Sequence, residues 1–127
     1  SRLEGTNKTY GTHIIASEST VRAAGDAIVT REIDLVRVKG RVEPARIYEV
    51  LGEADQREHW KPLCAEFAAG LAAFRARRWD DARACFERAC AAHPGDGPSL
   101  LYLERCAEFA ANPPPPNWDG VTVRDSK

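Results

Sequence analysis

Basic residues occupy three alternate positions, Arg37, Lys39 and Arg41, at the end of a segment rich in β-branched residues. In an extended strand alternate side chains lie on the same side, and Gly40 permits a sharp turn just beyond the lysine. Three cations that converge at a strand end could bind a polyphosphate, because ionised donors make strong hydrogen bonds to phosphate oxygens. The segment therefore predicts an anion-binding site at the end of a strand.

An α+β pattern over the first 51 residues would position this strand end. The predicted elements are, in chain order, a helix at 2–10, a strand at 12–16, a short helix that ends at residue 25, and strands at 28–38 and 44–51. Gly11 is suited to a left-handed helix end, and Ser17 to a helix N-cap with Glu18 in the first turn. The connection between the last two strands is short enough for a hairpin.

After Leu51 and Gly52 the apolar residues follow the three-and-four spacing of amphipathic helices. This spacing predicts three helices, at about 59–78, 80–93 and 98–111. Pro62 is compatible with the first of them only within its first turn. Asp80 or Asp81 would cap the second helix.

The apolar residues also predict how these helices pack. The third helix would bury one stripe, made of Leu100, Leu103, Cys106, Ala107 and Ala110. Ala82 and Phe86 are predicted to lie buried between the first two helices, which would be antiparallel neighbours. One helical hairpin leaves an apolar face uncovered, so Trp118, the large aromatic residue of the Pro-rich tail, is expected to pack back on the helices.

The composition is that of a folded domain, with 43% hydrophobic and 29% charged residues. A net charge of −1 argues against nucleic-acid binding, which requires a basic surface. No apolar run approaches the roughly 20 residues that span a bilayer, and no signal peptide is present, so we expect no membrane contact by this chain. The sequence contains no methionine, which predicts that residue 1 is not the natural start.

The second half contains four cysteines, Cys64, Cys85, Cys90 and Cys106, none of them in a C-x-x-C pair. The spacing of Cys85 and Cys90 would put their side chains on nearly opposite sides of a helix, which is unsuitable for a shared metal ion. We therefore expect buried, reduced thiols that behave as small hydrophobic residues. Such thiols predict a cytoplasmic location.

Two motifs resemble the C-terminal part of the catalytic domain of bacterial class III nucleotide cyclases. Ser1-Arg2-Leu3-Glu4-Gly5 matches the end of a family helix pattern, Asn-x-Ala-Ser-Arg followed by Leu-Glu-Gly. Val38-Lys39-Gly40-Arg41 is similar to the family segment that contacts the nucleotide phosphates. The resemblance covers residues 1 to about 51, roughly the last third of a catalytic domain whose fold is ferredoxin-like.

The resemblance implies roles for two residues. Arg2 would be the catalytic arginine that stabilises the transition state as the ribose 3′-hydroxyl attacks the α-phosphate, a task suited to a planar guanidinium. Lys39 would bind the terminal phosphates of the substrate, where a compact charge is adequate; Arg37 and Arg41 are weaker candidates. The metal-binding aspartates, the purine-selecting residues and the transition-state asparagine have no counterpart here, so the ligands of Mg²⁺ or Mn²⁺ would lie outside this chain.

The helical half resembles one tetratricopeptide unit. The small-residue, aromatic and proline spacing of such a unit is matched by Gly70, Ala82, Phe86, Ala89 and Pro94. Small residues at Gly70 and Ala82 would let two antiparallel helices approach closely, with Phe86 between them. The tryptophan and tyrosine of the family's first helix are replaced by Glu66 and Ala73, so the match is degenerate.

Together these features predict an α+β chain with three segments. Residues 1–51 would be the C-terminal part of a ferredoxin-like cyclase catalytic domain. Residues 52–112 would be an all-α tetratricopeptide-like hairpin plus a third helix, and residues 113–127 a Pro-rich tail. The leading hypothesis is the C-terminal portion of an adenylate cyclase that converts ATP to cyclic AMP in signal transduction, inactive as an isolated chain. ATP is preferred to GTP on family frequency alone.

The family resemblance also implies partners and a location. Its members place their sites at a dimer interface, so a homodimer through the cyclase domain is expected. The enzyme would be cytoplasmic, or anchored to a membrane through an N-terminal region outside this chain. Two alternatives stay open: a tetratricopeptide-type module that binds a protein partner on a degenerate cyclase scaffold, and a structural remnant with no activity.

Overall fold

The computed structural model describes the backbone of residues 2–40 and 42–124, and the side chains from Gly5 onward within those ranges. The chain divides into two compact units. Unit 1 contains the residues up to Trp60 together with the segment that starts at Val121, and unit 2 contains Lys61–Gly120. The predicted domain limits at residues 51 and 112 stay predictions.

Unit 1 combines helices with a four-stranded mixed sheet, which confirms the α+β class. Its elements are α1 (Arg2–Tyr10), β1 (Ile15–Ser17), α2 (Glu18–Ala24), β2 (Ile28–Val38), β3 (Ala45–Glu53) and β4 (Thr122–Arg124), with 3₁₀ turns at Gly25–Ala27 and Ala54–Gln56. The strand order is β1-β3-β2-β4, in which β4 is parallel to β2 and the other pairs are antiparallel. The ferredoxin-like arrangement stays a prediction.

The first helix ends as predicted, but the first strand starts later. Gly11 has a φ of 69°, and its N–H donates to the Asn7 carbonyl at 2.8 Å. Thr12 remains part of this helix end, because its N–H donates to the same carbonyl at 3.1 Å and its hydroxyl to the Asn7 side chain at 2.7 Å. The Thr12 N–H is therefore used by the helix end and is not available for pairing with a strand. β1 begins at Ile15 instead.

The predicted N-cap and hairpin of unit 1 are confirmed, whereas β3 continues to Glu53, two residues beyond the predicted end at residue 51. Ser17 caps α2, since its hydroxyl oxygen accepts a hydrogen bond from the Thr20 N–H at 3.3 Å. β2 and β3 form the predicted antiparallel hairpin, whose turn contains Gly40 at a φ of 92°.

A β-bulge in β2 places two adjacent residues in the interior. The pairing of β2 with β3 shifts between Glu32 and Asp34, so Ile33 is an extra residue on β2. In a regular strand neighbouring side chains lie on opposite faces, but a bulge interrupts that alternation. Ile33 and Asp34 are accordingly both buried, at 0% and 2% exposure.

The buried face of the sheet contains two polar contacts. Arg31 and Glu49 lie directly opposite each other on β2 and β3, and Arg31 Nη2 is 2.6 Å from Glu49 Oε1. Asp34 accepts a hydrogen bond from the Tyr10 hydroxyl of α1 at 2.6 Å and another from the Leu35 N–H at 2.8 Å. Each buried charge therefore has the partner that burial demands.

Unit 2 is built from three helices, of which the first begins within unit 1: α3 (Arg57–Arg75), α4 (Trp79–Ala92) and α5 (Gly97–Ala111). Contacts between α3 and α4 run in opposite order along the two helices: Glu66 with Arg88, Phe67 with Phe86, and Phe74 with Trp79. The two helices are therefore antiparallel neighbours, as predicted. The tetratricopeptide arrangement stays a prediction.

The interior of unit 2 is centred on Phe86. Phe86 and Ala82 are both fully buried, which confirms the prediction for these residues. The Phe86 ring lies 5.3 Å from the ring of Phe67 and is stacked 5.0 Å from that of Tyr102. A Cβ atom at Gly70 would lie 2.7 Å from the Phe86 ring, so the absence of a side chain at Gly70 lets α3 approach that ring.

Two predicted helix starts are wrong. α3 begins at Arg57, so Pro62 lies beyond its first turn. The proline removes a hydrogen bond to the Glu58 carbonyl, but Glu58 is exposed and water can hydrate that group. α4 begins at Trp79 and places Asp80 and Asp81 in its first turn, where carboxylates interact favourably with the helix dipole instead of acting as the N-cap.

The predicted buried stripe of α5 is confirmed for Cys106 but is wrong for most of its other residues. The residues of α5 that are buried are Pro98, Ser99, Tyr102 and Cys106. Leu100 is 48% exposed, and Ala107 and Ala110 are exposed as well. The reason is Tyr102, whose ring packs on Phe67 and Phe86 and thereby determines which face of α5 is turned inward.

Trp118 packs back on the helices, as predicted. Its ring lies 5.5 Å from Phe109, 5.7 Å from Phe74 and 5.8 Å from Trp79. Arg77 holds the Pro-rich segment before Trp118, because its guanidinium donates hydrogen bonds to the carbonyls of Pro114 and Pro115. The backbone of Arg77 has a positive φ of 64°.

All four cysteines are free thiols, as predicted. Cys85 and Cys106 are buried, whereas Cys64 and Cys90 are only half-buried, so full burial was wrong for two of the four.

We expect Phe86→Ala to lower the free energy of unfolding by about 3–5 kcal/mol, because it removes a fully buried ring and leaves a cavity. Urea denaturation followed by far-UV circular dichroism measures this change. Leu100→Ala is the matched control, since Leu100 is half exposed. Equal losses in the two variants would contradict the assignment of Phe86 to the interior.

Gly70→Ala should also destabilise the protein, by about 1–3 kcal/mol, because the added methyl group overpacks against Phe86. Gly5→Ala is the comparison: it is also helical, has open space around its Cα, and should gain up to about 1 kcal/mol from helix propensity. Thermal unfolding of both variants tests this. A stabilising Gly70→Ala would rule out the close approach.

Candidate functional site

Lys39 follows the last residue of β2 and begins a turn. Its N–H donates to the Arg124 carbonyl of β4 at 2.7 Å, and its side chain is exposed. Gly40 then takes a φ of 92°, a conformation that side chains disfavour. The backbone of the lysine is thus held at a defined position while its ammonium group remains accessible to an anion.

The predicted row of three cations on one strand is wrong. β2 ends at Val38, so Lys39 belongs to the turn and only Arg37 lies on the strand. Arg37 Nε donates to the Val42 carbonyl at 2.9 Å, which joins the two sides of the turn. Arg41 lies outside the described residues. Arg37 therefore contributes to the shape of the turn that contains Lys39.

Helix α1 runs antiparallel to β2. Near the C-terminal end of α1, the Tyr10 hydroxyl donates to Asp34 in the second half of β2. One turn earlier in α1, the hydroxyl of Thr6 accepts a hydrogen bond from Arg124 Nη1 at 3.0 Å. Arg124 is paired with Val38, the last residue of β2. The N-terminal part of α1 thus lies toward the end of β2.

Arg2 is the first residue of α1, and its side chain lies outside the described part of the structure. At a rise of about 1.5 Å per residue, the backbone of Arg2 is about 6 Å further along the helix axis than that of Thr6. The start of α1 and the turn at Lys39 are therefore at the same end of unit 1. The role of each residue stays a prediction.

Two buried carboxylates of the sheet, Asp34 and Glu49, are bound to protein partners. Asp34 is held by Tyr10 and Leu35, and Glu49 by Arg31. Hydrogen bonds of this kind fix carboxylates in place, so these two groups stabilise the sheet that supports the strand end. Burial, with smaller contributions from Glu18 and Glu32, raises the pKa of the Tyr48 hydroxyl above its usual value.

Two of the thiols, Cys90 and Cys106, are poor nucleophiles. Burial raises the pKa of the Cys106 thiol to about 11, and burial also raises the pKa of Cys90. At neutral pH both side chains are therefore protonated, whereas the thiolate is the reactive form.

Two features are absent from the residues that the structure describes. No three side chains of His, Cys, Asp or Glu come together there as ligands for a metal ion. No helix in that part of the chain has both the length and the apolar character that crossing a membrane requires.

The sequence interpretation did not include Arg124, Thr6 and Thr9, which connect α1 to the strand end. Arg124 Nη1 and Nη2 lie 3.0 and 3.4 Å from the hydroxyl oxygens of Thr6 and Thr9. A local signal for β4 existed, because Gly120 is followed by three β-branched residues, Val121, Thr122 and Val123. Its pairing partner on β2 is distant in the sequence, and no local pattern identifies it.

The chain is similar to two proteins named adenylate cyclase. It is 31% identical over 113 residues to adenylate cyclase, terminal-differentiation specific, of Dictyostelium discoideum. That match covers 85% of this chain and 5% of the relative. It is 44% identical over 52 residues to adenylate cyclase 1 of Rhizobium meliloti (strain 1021), which covers 41% of this chain and 8% of the relative.

The chain thus spans less than a tenth of the length of either relative. No family model matches the chain. No solved structure matches it either. The two similarities support a relationship to adenylate cyclases.

Proposed function

We propose that this chain is the C-terminal portion of an adenylate cyclase that converts ATP to cyclic AMP and pyrophosphate, and that it is inactive by itself. The observation that carries the proposal is the similarity to two proteins named adenylate cyclase, one of which extends over 85% of the chain. The position of Lys39 supports it, because an exposed ammonium on a held backbone is suited to a polyphosphate.

In the proposed reaction the ribose 3′-oxygen attacks the α-phosphorus of ATP. The bond between this oxygen and phosphorus forms, the bond from the α-phosphorus to the bridging oxygen breaks, pyrophosphate leaves, and the proton of the 3′-hydroxyl passes to solvent water. Lys39 would neutralise charge on the terminal phosphates. Arg2 would donate hydrogen bonds to oxygens that gain charge in the transition state, a preorganised interaction of the kind that contributes most to catalysis.

A divalent ion, Mg²⁺ or Mn²⁺, would supply activation of the attacking oxygen in such an enzyme. The described residues of this chain do not fit that role, since they contain no cluster of ligands and the Asp34 carboxylate is already bound to Tyr10 and Leu35. The metal ligands would lie in a part of the catalytic domain outside this chain.

We also propose a homodimer formed through the cyclase domain and a cytoplasmic catalytic site, with ATP as the substrate.

The second candidate is a protein-binding role for the helical unit. An open groove of about 480 Å³ lies at the start of α4 and is lined by Arg77, Arg78, Trp79, Asp80, Asp81 and Ala110. However, Trp118 of the same chain already packs on the neighbouring aromatic rings. A partner would have to bind beside the tail or displace it. The cyclase assignment is therefore preferred.

The isolated chain should form no cyclic nucleotide. The physical reason is that the described residues provide no ligand set for the metal ions on which two-metal activation depends. Purified chain is incubated with ATP or GTP and with magnesium or manganese, and cyclic products are measured by chromatography. Turnover above a no-protein control would overturn the proposal that the site needs residues from outside this chain.

In a longer protein that includes the rest of the catalytic domain, Arg2→Ala should lower kcat by about 10²–10³, because its interaction is made in the transition state. Lys39→Ala should instead raise KM for ATP substantially, since the triphosphate is charged in the ground state too. The matched controls are Arg22→Ala and Lys61→Ala, both at exposed positions. Negligible effects of both Arg2→Ala and Lys39→Ala on kcat and KM would contradict the proposed catalytic and phosphate-binding roles.

A further inference from the structure

Arg124 connects the two elements that contain the candidate site residues. It is the last residue of β4, a strand of three residues at the edge of the sheet, and it is paired with Val38. Its carbonyl accepts the hydrogen bond from the Lys39 N–H at 2.7 Å. The backbone of Arg124 thus holds the point at which β2 ends and the turn begins.

The side chain of the same residue binds α1. Nη1 donates to the hydroxyl oxygen of Thr6 at 3.0 Å, and Nη2 lies 3.4 Å from that of Thr9. Thr6 and Thr9 are three residues apart and therefore lie on one face of the helix. Thr9 in turn donates its hydroxyl proton to the Gly5 carbonyl at 3.1 Å, which leaves its oxygen able to accept from the guanidinium.

The planar shape of the Arg124 guanidinium suits it to bind two hydroxyl groups of α1 at once. Two nitrogen atoms of one planar group reach two hydroxyl oxygens at neighbouring positions of the helix. A lysine has a single nitrogen on a flexible chain and could not hold both hydroxyls in the same geometry. The contact is therefore directional, and it opposes both sliding and rotation of α1 relative to the strand end.

We propose that Arg124 is a positioning residue of the cyclase reaction, which sets the position of α1, and with it Arg2, relative to Lys39. This inference rests on the proposed function. Transfer at the α-phosphorus requires Arg2 and Lys39 to act on different phosphates of the same nucleotide, so their separation must be maintained. An error of about 1 Å in such an arrangement can cost on the order of 10²-fold in rate.

The test uses the longer protein that includes the rest of the catalytic domain. Arg124→Ala should lower kcat about 10- to 100-fold, with KM for ATP changed by less than about threefold, because Arg124 does not itself bind substrate. Arg124→Lys should restore little of the loss, since the charge returns without the planar fork. Full rescue by lysine, or a rise in KM with kcat unchanged, would overturn the positioning role in favour of a direct electrostatic contact with ATP.

A second pair of variants isolates the contact with the helix. Thr6→Val removes one hydroxyl while keeping the size of the side chain, and it should reduce kcat in the same direction. Adding Thr6→Val to Arg124→Ala should cause little further loss, because both changes break one interaction. Additive losses would contradict the proposal. Arg22→Ala, at an exposed position of α2, is the control for a generic effect of losing an arginine.

A measurement without turnover separates this inference from the proposed function. In the 127-residue chain, Arg124→Ala should increase hydrogen exchange at the amides of α1 and leave the amides of α4 unchanged. If the longer protein makes no cyclic AMP but α1 loses protection, the proposed function fails while the contact stands. If cyclic AMP is made and α1 keeps full protection in Arg124→Ala, the positioning role is wrong and the proposed function stands.

Discussion

The long strand β2 must find hydrogen-bond partners on both of its edges, and most of unit 1 depends on this requirement. Along one edge, β3 pairs with β2 in the antiparallel sense over most of the length of β2. Along the other edge, at the end nearest the turn, β4 supplies a parallel one. An unpaired edge exposes backbone groups to water or to other chains. Because the partner at the turn is Arg124, the same pairing also defines the backbone position of Lys39.

Local patterns predicted most of the elements in unit 1, because their ends are determined by neighbouring residues. The end of α1 at Gly11 and the cap at Ser17 depend on bonds that reach no further than a few positions. The bulge at Ile33 and the buried pair of Arg31 and Glu49 could not be predicted in this way. Both result from the register of two strands, which a single segment of sequence does not reveal.

The helical unit shows where a periodic pattern is ambiguous. Ala82 and Phe86 were correctly assigned to the interior, where both are fully buried. On α5 two apolar stripes compete, and the choice between them depends on Tyr102, whose ring stacks on Phe86. For the candidate site, the resemblance to the cyclase motifs predicts roles for Arg2 and Lys39, and those roles stay predictions. Arg124 was missed because its importance comes from contacts distant in the sequence.

The return of β4 to the sheet has a consequence for the order in which the molecule is made. Arg124 and Thr6 are separated by 118 positions, and the whole of α3, α4 and α5 lies between them. During synthesis the hairpin of β2 and β3 leaves the ribosome long before β4 exists, so the sheet is completed last. Closing so long a loop costs entropy that only the finished contacts offset. Synthesis therefore assembles the arginine contact with α1 only after the three helices of unit 2 have been translated.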